Sequence, residues 1–268
     1  MESGFRQLTE QDINTVSTVK QTQYGAQGVT ADGRGFRYCG FSGTATIAPG
    51  QLCVAAPYTT GAFGMAITAT TVATGGQAQT TATLTAGSMI LVLTNSSSQA
   101  ITQDQFAEGY LEVTQTSGTG NGPIVYSILG NTAAGAGNVT ATYVTVYLRE
   151  TEPLRNASVL VPGTDTATLY ANPYSSVGPS STAGQAVGVT VSQVLNTASV
   201  TNYGWIQTIG TVWLTNDAGG NLTVGEGIAQ STTTAGDIVA QGATTYGIGQ
   251  TQKAFNASTT GPCVINLD

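Results

Sequence analysis

Short runs of Thr, Val, Ile and Tyr, each soon cut off by Gly, Pro, Asn or Asp, fill this chain almost from end to end. The clearest are 138–148 (NVTATYVTVYL), 186–194 (AVGVTVSQV) and 204–216 (GWIQTIGTVWLTN). β-branched and aromatic side chains fit a pleated surface and lose rotamer freedom against a helical turn, so these runs predict strands. Turn chemistry separates them at Asp32-Gly33, Ala48-Pro49-Gly50, Gly118-Thr119-Gly120-Asn121-Gly122, Asn172-Pro173-Tyr174 and Asp217-Ala218-Gly219-Gly220-Asn221. With turns this frequent, the expected fold is all-β, built of antiparallel sandwich- or barrel-like regions rather than a parallel α/β sheet. In the run from Gly204, period-two alternation puts Trp205, Gln207, Ile209, Thr211 and Trp213 on one face and Ile206, Thr208, Gly210, Val212 and Leu214 on the other. Both faces are partly apolar, which suits a strand held between two layers or covered by a neighbouring subunit.

Only the N-terminal end offers a helical pattern. Thr9-Glu10-Gln11-Asp12 can open a short helix with Thr9 as its cap, although an extended arm fits residues 1–30 equally well. Gln-rich and short of large apolar groups, these residues are expected to form an N-terminal arm outside the main core. The rest reads as a β-rich region over 31–150 and a second over 151–268, compatible also with one continuous domain. The charged cluster Arg149-Glu150-Thr151-Glu152-Pro153-Leu154-Arg155 is the expected exposed connection between them.

Charge is scarce and unevenly placed. Seven Lys plus Arg and 14 Asp plus Glu make up 8 % of 268 residues, where soluble domains carry roughly 25 %. No charge occurs over 38–103, 113–148 or 166–216, so more than half of the chain presents surface without formal charge. Such surface is cheap to desolvate, and interface cores are depleted in Lys, Glu and Asp for that reason. Stretches 38–103 and 166–216 are therefore expected to lose area on assembly; a compositional bias toward Thr and Gly is the competing explanation.

The same composition excludes several kinds of chemistry. With no His, the Ser-His-Asp, Cys-His and His-ligated metal sites are absent. A net charge of −7 argues against binding a phosphate backbone. Apolar runs such as Ser88 to Leu93 stop far short of the ~20 residues that cross a bilayer, so no membrane partner is expected. Cys39, Cys53 and Cys263 lack zinc-site spacing and should be buried, reduced thiols; Cys39 and Cys53, at opposite ends of an expected hairpin, are the one pair that could bridge. The opening Met1 to Arg6 shows no secretory pattern, so synthesis in a cytosol is expected. Glu108 and Glu112 share parity on the run 106–113, yet alternating Glu on an exposed strand is ordinary solvation; no catalytic, cofactor or metal residue is expected. The Gly-rich run at 118–122 lacks the Lys and following helix of a phosphate loop. Tyr203, Trp205 and Trp213 could line a sugar groove, but packing in a core or interface is the simpler role. Tyr110 and Tyr174 join them as candidate packing or interface residues.

Several segments, in order, carry a family likeness: Asp32-Gly33-Arg34-Gly35-Phe36-Arg37-Tyr38 followed by Ala48-Pro49-Gly50-Gln51-Leu52, then Gly109-Tyr110-Leu111-Glu112-Val113 and Ile128-Leu129-Gly130-Asn131. Glu152-Pro153-Leu154-Arg155, Asn172-Pro173-Tyr174, Val187-Gly188-Val189 and Tyr203-Gly204-Trp205-Ile206-Gln207-Thr208 complete the series. Over about 31–268 the chain resembles structural proteins of tailed-bacteriophage virions, of the head decoration or cement type. The resemblance implies a homo-oligomeric protein, made in the host cytoplasm, that binds the major capsid protein lattice on the capsid exterior and braces the head against packaged DNA. It brings no catalytic residue and no cofactor. A tail or fibre component that binds a host receptor, and a carbohydrate-binding β-domain, are the competing readings; no fixed-period fibre repeat is present.

Overall fold

The computed structural model describes residues 5–43, 45–55, 65–68, 72–73, 77–78, 82–84, 89–95, 100–114, 124–135, 142–149, 158–160, 166–182, 184–197, 200–243 and 247–268. Nearly every described element is a strand, as the run-and-turn pattern predicts. The chain begins with β1 (Arg6–Leu8), α1 (Glu10–Asn14), β2 (Gln27–Thr30), β3 (Gly35–Phe41) and β4 (Leu52–Ala55). There follow β5 (Met65–Thr68), β6 (Val72–Ala73), β7 (Gln77–Ala78), β8 (Ala82–Leu84), β9 (Ile90–Asn95), β10 (Tyr110–Thr114), β11 (Ile124–Asn131), β12 (Thr142–Leu148), β13 (Ser158–Leu160) and β14 (Thr166–Tyr170). The last are β15 (Val177–Gly178), β16 (Ala186–Thr190), β17 (Asn202–Thr215), β18 (Gly227–Gln230), β19 (Ile238–Ala240), β20 (Gly249–Thr251) and β21 (Thr260–Asn266).

Two compact units divide the chain, one of residues 1–57 with 173–268 and one of residues 58–172. These boundaries differ from the sequence expectation of a break at 150. The reason is long-range pairing: Ala55 on β4 lies opposite Val177 on β15, so the strands flanking 58–172 belong to one sheet. Apart from Arg149, the charged cluster at 149–155 lies outside the described residues, as does the Gly-rich turn at 118–122.

In the first unit, β3, β15, β4, β16 and β17 pair in turn, and β17 pairs back onto β3, closing a five-stranded barrel. The sheet continues as β2 and β1 beyond β3, and as β21, β20, β18 and β19 beyond β17. Leu52, Val189, Val212, Leu214, Ile228, Ile238, Cys263 and Ile265 pack into one cluster between these strands. Part of the segment expected as an N-terminal arm packs on this core. β1 pairs in parallel with β2, while Leu8 and Ile13 are 3 % and 1 % exposed and pack with Phe36, Tyr38 and Trp205. Thr9 caps α1 as the sequence indicates, in a reciprocal capping box with Asp12. The helix stops at Asn14, because Thr15 already has extended backbone.

The second unit is a closed barrel of β10, β11, β12, β9, β5 and β14, with no free edge among these six strands. Leu91, Leu93, Leu111, Val113, Tyr126, Ile128, Val144, Val146, Leu148 and Leu169 fill its interior. Phe106, fully buried, enters from the loop before β10; its backbone N–H donates to the Asn131 side chain at 2.8 Å, and that amide donates in turn to the carbonyls of Thr102 and Thr132. A buried amide satisfied on both sides fixes this loop to the barrel wall.

Candidate functional site

An ordinary antiparallel sheet buries one face and solvates the other with charge. The described barrel of the second unit departs from this: it is apolar inside and nearly uncharged outside. Of the residues in its six strands, Glu112 alone carries a charge, and it accepts a hydrogen bond from the Tyr170 hydroxyl at 2.9 Å. Several outward positions on these strands are large and apolar, with Tyr110, Ile90 and Leu129 being 44 %, 54 % and 60 % exposed. Register makes them a stripe rather than a scatter. Tyr170 lies opposite Tyr110, Tyr110 opposite Ser127, and Tyr147 opposite both Gly130 and Ile90, so the stripe crosses β14, β10, β11, β12 and β9 in order.

A second open face lies on the first unit. Over the first half of β17 both sides are covered, and Trp205 is 5 % exposed. Beyond the register shift between Gln207 and Ile209, where Gly210 takes φ of +100°, the strand alternates: Val212 and Leu214 turn inward and Trp213 is 61 % exposed. Thr211 faces Val264 and Trp213 faces Pro262 across β21, while Val264 faces Gln250 on β20. None of these positions carries a charge.

The five candidate residues therefore do not form one site. Tyr203 and Trp205 line a common cleft in the first unit, whereas Trp213 stands on the open half of β17. Of the core and interface roles open to Trp213 in the sequence, its exposure in the single chain leaves the interface. Tyr174 is partly buried beneath Arg37, whose guanidinium lies 5.9 Å from its ring, and Tyr110 belongs to the barrel stripe. Glu108 and Glu112 do not share a strand face either: β10 starts at Tyr110, and Glu108 lies in the preceding loop at φ +62°.

Other polar clusters are built to hold the fold. Asp217, 4 % exposed, is raised by burial, but hydrogen bonds from the Ser231 hydroxyl, the Gly219 N–H and the Thr233 hydroxyl outweigh that and hold its carboxyl below the usual range. Nearby Asp237 is raised by burial and by the charge of Asp217. No group of three or more acidic or thiol side chains converges among the described residues. All three cysteines are free and buried; Cys39 and Cys53 are not hairpin partners, because β15 sits between β3 and β4. Burial pushes the Cys53 thiol up to about 12 and that of Cys263 to about 11.

Comparison with protein-family models, with curated proteins and with solved structures finds no match. The stripe of Ile90, Leu129 and Tyr147 escapes sequence reasoning because those residues sit on separate runs that only barrel closure brings together. Their one advance signal is the absence of charge over 38–103 and 113–148.

Proposed function

We propose that this chain is a structural virion protein that coats the exterior of a capsid, docking on the major capsid protein lattice and on copies of itself. The observation that carries this reading is the outer face of the six-stranded barrel, where Tyr110, Ile90, Leu129 and Tyr147 stand open and Glu112 is the single charged residue of the six strands. Burying such a face against another protein releases water from apolar surface and strips almost no charge of its hydration. Tyr suits the task, since it offers rigid apolar area together with a polar tip. The Trp213 face of the first unit supports the same reading. Neither face is large, but a closed shell presents its partner many times over, and avidity multiplies modest contacts. Free buried thiols suit synthesis in a reducing host cytoplasm. No catalytic or cofactor role is part of this reading.

Sedimentation with head shells that lack the protein tests it. The chain should pellet with intact shells in a saturable way, and Tyr110→Glu with Tyr147→Glu should weaken binding by tenfold or more, about 1.4 kcal/mol. A chain that stays in the supernatant at every shell concentration, or a double variant that binds as well as the parent, overturns the proposal.

A further inference from the structure

A cleft of about 380 Å³ opens in the first unit between the N-terminal segment and the barrel, lined by Arg6, Gln11, Asp12, Tyr38, Tyr203 and Trp205 with smaller polar neighbours. Clefts that hold small molecules span roughly 300 to 1,000 Å³. Two nearly buried rings line it: Tyr38 and Trp205 are 2 % and 5 % exposed and meet edge to face at 5.3 Å. The half-buried Tyr203 supplies a more accessible ring. Arg6 and Asp12 pair at 3.3 Å, with the guanidinium 5.9 Å from the Trp205 ring, so the two charges of the cleft cancel.

The rings also carry donors that no protein group accepts. The Tyr38 hydroxyl accepts from the Gln21 N–H at 2.8 Å, which leaves its own proton uncommitted. Among the described residues, the Trp205 indole N–H and the Tyr203 hydroxyl have no protein partner. Around these rings stand planar polar groups, the Arg6 guanidinium, the Asp12 carboxylate and the Gln11 amide.

We propose that this cleft binds a neutral saccharide ring. A pyranose presents C–H groups to an aromatic ring and pairs of neighbouring hydroxyls that both accept and donate. The hydroxyls match the free donors of Tyr38, Trp205 and Tyr203 and the forked geometry of Arg6 and Asp12. An anionic ligand would meet Asp12 and a chain of net charge −7. The site lies apart from the Trp213 face and does not depend on the capsid-binding reading.

The Trp213→Phe chain has Trp205 as its only indole, so its fluorescence reports on the cleft directly. Titration with glucose, galactose, mannose and N-acetylglucosamine should give a saturable change with at least one of them below about 50 mM, in the weak-binding range. Arg6→Ala and Gln11→Ala, each checked for an unchanged melting curve, should weaken that binding about tenfold. No saturable change with any of the four sugars, or binding unaffected by both substitutions, overturns the proposal.

Discussion

Trp205 and Trp213 occupy one strand eight residues apart and meet opposite surroundings, and residue-level predictions follow from that contrast. Trp205→Ala removes a ring packed among Leu8, Ile13, Phe36 and Tyr38, and should cost about 3 to 5 kcal/mol in urea unfolding. Trp213→Ala removes a ring from the open face and should change stability by less than about 0.5 kcal/mol. Sequence alternation treats the two alike, because the cover over Trp205 comes from Leu8 and Ile13, far away in the chain. The acidic pair Asp217 and Asp237 gives a second test, with opposite signs. The folded-state value of Asp217 lies below the ordinary 3.8, so its contribution is present above 3.8 and is lost as pH falls through the depressed value. The folded-state value of Asp237 lies above 3.8, so its contribution is present below 3.8 and is lost as pH rises through the raised value. Asp237→Asn should therefore raise the melting temperature at neutral pH, whereas Asp217→Asn should lower it there and flatten the acid limb of the curve. The thiols should resist iodoacetamide in the native chain at pH 8 and react once it is unfolded, because burial keeps all three protonated.

Among the elements, β17 organises the first unit by pairing with β3, β16 and β21 along its length. Its existence is legible in the sequence because Trp, Ile, Thr and Val alternate over the whole run. Its bend is partly legible too, since Gly204 and Gly210 interrupt that alternation. At Gly204 an added Cβ would meet Phe41 at 3.2 Å; at Gly210 it would meet Arg34 at 3.2 Å and force a side chain into φ +100°. Gly210→Val should therefore destabilise by at least about 1 to 2 kcal/mol, read from thermal or urea melts, and an unchanged midpoint would mean that the strand does not need this bend. Thr9 and Asp12 were equally readable as a cap. What they could not reveal is that α1 and β1 lie over Trp205, since nothing local encodes a contact made through β2 and β3. Only as cap and arm do Arg6, Gln11 and Asp12 appear in the sequence, and the cleft they share with Tyr203 emerges from packing alone.

For the whole molecule, the decisive arrangement is the insertion of residues 58–172 between β4 and β15, two strands that pair with each other. Antiparallel pairing holds Ala55 and Val177 within about 5.5 Å, so a short linker can close the gap that the second unit leaves. Replacing 58–172 with a Gly-Ser turn should yield a first unit that unfolds cooperatively with Trp205 still buried; a product without a cooperative transition would show that the sheet needs its insert. The all-β class was legible because turn residues recur along the entire chain, whereas the boundaries were not, because a pairing across an insertion leaves no mark in composition. Scarcity of charge was the one sequence feature that anticipated the open faces, and both of them carry the proposed role. The most direct test of that role is electron cryomicroscopy of the particle with which the protein co-purifies. The coat reading predicts density for this chain on the head exterior, with the stripe of Tyr110, Tyr147 and Ile90 buried against the shell or against another copy. Density confined to the tail, no particle at all, or a head-bound chain whose barrel stripe and Trp213 face both remain open to solvent would contradict it.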